Sequence, residues 1–351
     1  MNIAIDITPL SSGHALRGVG VYTKNLIDAL QQYESKHSYS FFTRGENIPN
    51  NAEIVHYPYF DPFFLTLPWQ KTVPTVVTVH DLIPLVFPSQ FPAGIRGRVK
   101  WNMQKIALRQ ADAIITVSQC SKKDVEQIVR IPGSKIHVVY SAATPGYDAK
   151  ISKQMQMKLK EKYHLPDSYM LYVGDVNWNK NVPGLLRAFA AYVATKKDAC
   201  LMLVGGAFKK DDVPETKQIQ QFIHTAHIED NVLMPGFVSQ EDLVGLYSMA
   251  DCLVEPSFYE GFGLPVLEAM ASGCPVIVAD NSSLTEIAGP SIKCTAERPE
   301  TITHAMEVVT MLSQKAREKI ITDSIAWSKQ FSWKKTAHET IAVYETLLGK
   351  E

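Results

Sequence analysis

Two carboxylates bracket a glycine turn in the stretch SFYEGFGLPVLEAMASGCPVIVAD, residues 257–280. Glu260 and Glu268 stand on either side of Gly261, Phe262, Gly263 and Leu264, ahead of a pattern that reads as a helix and then a strand. Pro265 suits a first helical turn, where a missing N–H costs little, and Gly273 suits the position just past the helix end. Backbone N–H groups at such a helix start can hold an anion, aided by the helix dipole. Carboxylates repel phosphate, so they must serve another part of the ligand. A carboxylate can accept hydrogen bonds from two vicinal hydroxyls of a ribose or hexose. The stretch therefore fits a ligand with both phosphate and polyol groups, such as a sugar nucleotide. The plainer reading makes Glu268 a dipole-stabilising helix residue and Glu260 a solvated loop charge, and spacing alone leaves both open.

Four further stretches carry candidate chemistry. In RGVGVYTKNLIDAL, residues 17–30, Gly18 and Gly20 precede a helix and leave backbone room for a phosphate or sugar. The G-x-G-x-x-G pattern fails at Thr23 and no acidic residue ends the next strand, which counts against an NAD(P) enzyme; a plain tight turn is the alternative. In TVVTVHDLIPLVFP, His80 falls at the carboxyl edge of a strand. It can bond a ligand hydroxyl or stabilise developing positive charge, or serve as a structural histidine beside Asp81. In YVGDVNWNKNVPGLLRAFA, Lys180 lies near a helix start, where it could neutralise a diphosphate or be a surface lysine. In residues 94–110, Arg96, Arg98, Lys100, Lys105 and Arg109 interleave with Trp101, Met103 and Ile106. Such a helix can lie on an anionic membrane or hold a phosphorylated acceptor; a solvated helix face is the alternative. The nearby YPYFDPFFLTLPWQ is a lipid- or sugar-stacking loop or a packed one. No P-loop, HExxH, GxSxG or metal-spaced histidine cluster occurs, and Asp211-Asp212 reads as solvent loop, so neither metal nor cofactor is expected.

The elements that must position these residues follow from the hydrophobic pattern. The chain has 351 residues, enough for two domains, and is 46% hydrophobic and 20% charged, ordinary for a globular protein. A net charge of −1 gives no global basic field, so no nucleic-acid partner is expected. Five cysteines without C-x-x-C spacing point to a reducing compartment, with neither disulfides nor a zinc site. The opening MNIAIDITPL reads as a strand rather than a signal peptide, and no apolar run reaches the ~18 residues of a spanning helix, so a cytoplasmic location is expected. Short β-branched apolar runs alternate with amphipathic helices: NIAIDI, EIVHY, TVVTVH, AIITVS and IHVVY in one half, YMLYVG, ACLMLVG, NVLMPG, DCLVEP and PVIVAD in the other. That pattern predicts two parallel sheets, each covered on both faces, hence an α/β protein of two Rossmann-like domains. The expected division is 1–165 and 166–332, with a final helix, 333–351, that need not belong to its sequence-adjacent domain. Ligands then bind outside the carboxyl ends of the strands, with a cleft between the domains as the default site.

Taken together, VVTVHDLIPLVFP, ADAIITVSQCSKKDV, IHVVY, NVLMPGFVSQEDLVGLYSMAD, EPSFYEGFGLPVLEAMASGCPVIVAD and NSSLTEIAG closely resemble, in this order along nearly the whole chain, the retaining glycosyltransferases of family 4, which have the GT-B fold. The resemblance is strongest to bacterial mannosyltransferases that build O-antigen and capsule polysaccharides. It implies that Glu268 holds the ribose hydroxyls and Glu260 the donor hexose, while the backbone at Gly261, Phe262, Gly263 and Leu264 meets sugar and diphosphate. Lys180 would neutralise the leaving diphosphate, Gly20 would let the N-terminal loop approach it, His80 would contact the transferred sugar, and Gly236-Phe237-Val238 would border the base. The final helix would cross back to the N-terminal domain. The implied reaction is metal-independent transfer with retention, gated by domain closure. The expected donor is GDP-mannose, ahead of UDP- or dTDP-hexoses. The expected acceptor is a polyprenyl-diphosphate-linked oligosaccharide, reached through peripheral contact of Arg96, Arg98, Lys100 and Trp101 with the inner membrane. Relatives commonly carry Arg-Lys where Asn179-Lys180 stands, Pro at Thr285, and an acidic, aliphatic run in place of GPSIKCTAERPE. The missing arginine is the one feature favouring a non-catalytic nucleotide-sugar-binding subunit.

Overall fold

The computed structural model describes residues 1–11, 13, 18–147 and 151–350. Arg17 at the head of the second glycine stretch, residues 148–150 of the predicted linker, and Glu351 lie outside the described residues. The chain divides into two compact units, 1–142 with 331–351, and 143–330.

The first unit holds a six-stranded parallel sheet of β1 (Asn2–Asp6), β2 (Ser38–Phe42), β3 (Ile54–Tyr57), β4 (Thr75–Val79), β5 (Ala113–Thr116) and β6 (Ile136–Val138), ordered β2-β1-β3-β4-β5-β6. Its central runs are buried along their length, which is why they are apolar without alternation. The helix Trp333–Leu347 packs on the helix Gly18–Tyr33 of this unit. Polar groups fix its seat: the Thr336 hydroxyl donates to the Tyr140 carbonyl at 2.7 Å, and Tyr344 Oη lies 2.6 Å from His56 Nδ1 in the buried interior.

The second unit repeats the architecture with β7 (Met170–Val173), β8 (Leu201–Val204), β9 (Val232–Gly236), β10 (Cys252–Glu255), β11 (Val276–Ala279) and β12 (Ile292–Cys294), ordered β12-β11-β10-β7-β8-β9 and again parallel. Its border falls at residue 143, ahead of the predicted 166. The Lys-rich helix Lys153–Tyr163 explains the shift, since it docks on the helix Gln240–Met249. The Lys162 ammonium and the Tyr163 hydroxyl both reach Asp242, at 2.5 and 2.7 Å. Each sheet reverses its strand order once, between β1 and β3 and between β7 and β10. Loops leaving the carboxyl ends of strands at such a reversal part to opposite sides and open a ligand crevice.

Candidate functional site

The switch point of the second unit collects the EGFG stretch and Lys180. Lys180 ends a short 3₁₀ turn, Trp178–Lys180, that follows β7; residues 256–263 follow β10. Local chemistry zips the two loops together. The Trp178 and Phe258 rings stack at 4.8 Å, and the Phe258 N–H donates to the Asn179 carbonyl at 2.8 Å. The Asn179 side chain, buried, donates to the Tyr259 carbonyl at 3.1 Å. Asn181 takes the left-handed conformation, φ 53°, caps the helix Val182–Thr195 by accepting from the Gly184 N–H, and donates to the Pro256 and Ala296 carbonyls at 3.0 and 2.7 Å. From the far side, the Ser283 hydroxyl donates to the Glu260 and Phe262 carbonyls, both at 2.9 Å, and the Glu260 N–H donates to Ser282 at 3.0 Å. Thr285, the departure from the usual proline, donates its hydroxyl to the Ser282 carbonyl at 2.9 Å and sits within this support.

These constraints put the Lys180 ammonium 2.8 Å from Glu260 Oε1 and 3.6 Å from Glu255 Oε1. The pairing with Glu260 joins two residues that the sequence reading gave separate roles. Glu255 was missed altogether, although a carboxylate closing the apolar strand CLVE was a visible anomaly. It is fully buried, accepts from the Ser257 hydroxyl at 2.6 Å through Oε1, and leaves Oε2 without a hydrogen-bond partner. Burial pushes its pKa up to about 7, although Lys180 pulls it down, and Glu260 adds to the rise. Burial works to lower the Lys180 pKa, but the two carboxylates overturn that, so the ammonium stays charged.

Glu268 lies in the second turn of the helix Leu264–Ala271. Gly263 leads into it at φ 105°, and a Cβ there would come within 2.9 Å of Leu284, so both backbone and space call for glycine. The helix closes as predicted, with Gly273 left-handed at φ 74° just beyond its end. Glu268 is buried and accepts from the Thr144 hydroxyl at 2.8 Å, a partner from the stretch read as linker. Burial raises its pKa to about 7, against the lowering effect of Thr144. Gly236-Phe237-Val238 sits apart from this cluster, at the end of β9, two strands beyond β7. Gly236 has φ 86° and its would-be Cβ meets Lys209 at 2.7 Å; Phe237 is exposed and Val238 buried.

The remaining predicted residues belong to the first unit. His80 follows β4, its Nε2 2.9 Å from the Pro58 carbonyl and its ring edge-on to Tyr22 at 4.6 Å. A carbonyl can only accept, so the proton sits on Nε2 and Nδ1 keeps its lone pair. Burial lowers the His80 pKa to about 4, so the ring is neutral near pH 7 and cannot act there as a cation. Gly18 and Gly20 lie inside the first turn of the helix Gly18–Tyr33 rather than ahead of it, with Gly20 buried two residues before Tyr22. The helix Gly94–Arg109 splits the basic segment: Lys105 and Arg109 donate to the Ile128 and Val129 carbonyls, both at 2.8 Å, and Trp101 packs against the core. Arg96 and Arg98 stay exposed beside an apolar ridge of Ile95, Val99, Met103 and Ile106. Gln104 accepts from Thr66 and Leu67 N–H groups, both at 3.0 Å, and so holds the aromatic loop to this helix, with Lys100 5.2 Å from the Phe64 ring centre. A cavity of about 290 Å³, bordered by Asp6, Phe42, Arg44, Glu46 and Tyr57, opens at the carboxyl ends of β1, β2 and β3; no pattern in the sequence marked it. Among the described residues, no helix is long and apolar enough to cross a membrane.

Two Rossmann-like parallel sheets, with a lysine–carboxylate cluster and a glycine-led helix at a switch point, make an α/β architecture whose crevice suits a phosphorylated ligand. Residues 156–325 match the family model for glycosyl transferases group 1, and residues 46–144 match that for glycosyltransferase family 4. The chain is 30% identical over 276 residues to O-antigen chain mannosyltransferase B of Escherichia coli, covering 78% of this chain and 70% of that one. It is 28% identical over 289 residues to the serotype-specific mannosyltransferase WbdA of Escherichia coli, covering 80% of this chain and 34% of that longer one. The crystal structure of Anabaena HepE in complex with UDP and glucose superposes with a TM-score of 0.76 at 18% identity, covering 99% of this chain and 100% of that one, a likeness of fold. The chain belongs to the family 4 glycosyltransferases and has the GT-B fold. It is a glycosyltransferase, which sets aside both the NAD(P) enzyme and the non-catalytic subunit.

Proposed function

We propose that this glycosyltransferase moves mannose from GDP-mannose, with retention and without a metal or other cofactor, to a growing lipid-linked surface polysaccharide. The observation that carries the proposal is the pairing of Lys180 with Glu260 at the switch point of β7 and β10, with Glu268 in the second turn of the helix that follows. In this reading Lys180 and the N–H groups from Gly261 to Leu264 meet the diphosphate, Glu260 a hexose hydroxyl and Glu268 the ribose. His80 Nδ1 accepts from a hydroxyl of the transferred sugar, Gly20, in the first turn of its helix, lets the backbone come near the diphosphate, and Gly236, Phe237 and Val238 border the base. Stabilising the leaving diphosphate and aligning the acceptor hydroxyl supply most of the rate. Mannose rests on the E. coli relatives, which are mannosyltransferases, and a UDP-sugar is the competing donor because the HepE structure holds UDP.

The lipid-linked acceptor rests on the ridge Ile95, Val99, Met103 and Ile106, flanked by Arg96 and Arg98, with the exposed Phe64 against Lys100 of the same helix. An apolar ridge with flanking cations suits the anionic cytoplasmic face of the inner membrane. Binding to anionic vesicles no stronger than to neutral ones, together with indifference to lipid-linked acceptors, would remove that part. The donor site is tested by calorimetric titration with GDP and UDP side by side, on the native protein and on Glu268→Ala. Binding of GDP, lost in the variant, is expected. Preference for UDP would replace mannose, and binding of neither by a folded protein would overturn the donor assignment.

A further inference from the structure

Lys180 carries one positive charge and faces two carboxylates, so with all three ionised the cluster is already net negative before a ligand is considered. A nucleotide-sugar diphosphate that approaches this lysine brings two more negative charges into a poorly hydrated site, where like charges repel strongly. One carboxylate must then move away or lose its charge. Glu260 sits on a loop and keeps the shorter contact, 2.8 Å, with some of its side chain still accessible. Glu255 cannot move, because it is the last residue of the central strand β10, hydrogen-bonded in the sheet between β7 and β11 and wholly buried. Its longer contact, 3.6 against 2.8 Å, makes it the carboxylate with less to lose on protonation, and its unpartnered Oε2 can take the proton.

Resting on the donor assignment above, we propose that Glu255 takes up a proton from solvent at Oε2 when the donor diphosphate meets Lys180, and gives it back when the nucleotide leaves. Glu255 is thus a positioning residue that acts through Lys180: neutral, it releases the ammonium from one carboxylate and turns its charge toward the diphosphate. Among the described residues, few charged or titratable groups face it. They are Lys180 on the turn after β7, Glu260 and Ser257 on the loop after β10, Tyr172 on β7, and Tyr247 on the helix Gln240–Met249. Burial holds both tyrosine hydroxyls neutral, and Ser257 does not titrate.

Calorimetric titration of the full chain with GDP-mannose and with UDP-glucose tests this, because their diphosphates have no group that titrates near neutrality. Run in two buffers of different ionisation enthalpy at about pH 8, the native protein should take up close to one proton per donor bound. Its affinity should fall by up to about tenfold per pH unit above about pH 7. Glu255→Gln should bind without proton exchange, its affinity flat with pH. Proton uptake retained in Glu255→Gln would hand the role to Glu260 and overturn the proposal. Binding by the native protein without proton exchange would overturn it even if the variant did not fold, and would leave the donor assignment standing. Failure of both nucleotide sugars to bind the native protein would overturn the donor assignment and this inference with it.

Discussion

Replacing Glu268 by glutamine should stabilise the second unit, and by more at alkaline pH. The carboxyl is buried and its pKa rises from 4.5 to about 7. At roughly 1.4 kcal/mol per pH unit, its ionised form is disfavoured in the fold by about 3 kcal/mol. The sign follows from linkage. Between about 4.5 and about 7 the folded state binds more protons than the unfolded one, so stability falls as pH rises through that window and stays low above it. Glutamine keeps the shape and an oxygen for the Thr144 hydroxyl, but has no ionised form to penalise. The gain from Glu268→Gln should therefore be about 2 kcal/mol larger at pH 8 than at pH 5.5. Glu255, which titrates in the same window, is present in both proteins and cancels. Hydrogen exchange at the amides of β10 and β11 reports opening of this unit alone, which avoids treating a two-unit chain as one transition. An equal gain at both pH values would refute the reasoning, since a packing effect would not titrate. The same variant should bind nucleotide more weakly, so that the carboxylate is kept for its ligand at a cost in stability.

Four further outcomes follow from the geometry. Asn181→Ala removes a cap and hydrogen bonds to two carbonyls, so hydrogen exchange at β10 and β11 should show a loss of about 3 kcal/mol, with donor affinity falling as the two site loops separate. Gly263→Ala forces a side chain into φ 105° against Leu284; a loss of about 1–3 kcal/mol is expected, again with weaker nucleotide binding by calorimetry. His80→Asn should lower turnover, yet any limb of the pH–rate profile near pH 6.5 should persist in the variant, because His80 itself titrates near 4. Lys180→Met leaves two carboxylates facing each other and should cost about 3–5 kcal/mol; adding Glu255→Gln should return part of it, and strict additivity in that double-mutant cycle would show that the pair is not coupled.

Hydrophobic pattern alone located ten of the strands, because central parallel strands are apolar on both faces and stand out as unbroken runs. The two it passed over, β2 and β12, each lie at one edge of a sheet, whereas the opposite edge strands β6 and β9 carry apolar runs and were found. SYSFF alternates polar residues and is largely accessible, while IKC is three residues long with an exposed lysine, so neither rises above its surroundings. The glycine turn, the helix after it and Glu268 were legible because Gly263, Pro265 and Gly273 each answer a local backbone demand. Thr144 was not, since a threonine in a Pro- and Gly-containing stretch carries no signal until the chain folds back onto the helix 124 residues later. Composition misplaced the unit border for a related reason: the Lys-rich helix looks solvated, yet one buried leucine and two contacts to Asp242 attach it to the second unit.

Asn179, read from the sequence as a missing cation, is better understood through its neighbours. Its side chain is buried and spent on the Tyr259 carbonyl, its own carbonyl on the Phe258 N–H, and the adjacent Trp178 on the Phe258 ring. An arginine could not lie in that buried position without leaving it for solvent or ligand, which would give up a contact that fixes the Glu260 loop. Asn179 and Trp178 therefore form a seam between the β7 and β10 loops. The seam in turn holds the remaining cation, Lys180, against Glu255 and Glu260 at fixed distances. If a donor diphosphate meets Lys180 as proposed, a site with one cation and two carboxylates must adjust its charge, which would tie proton uptake at Glu255 to the presence of Asn179 beside that lysine.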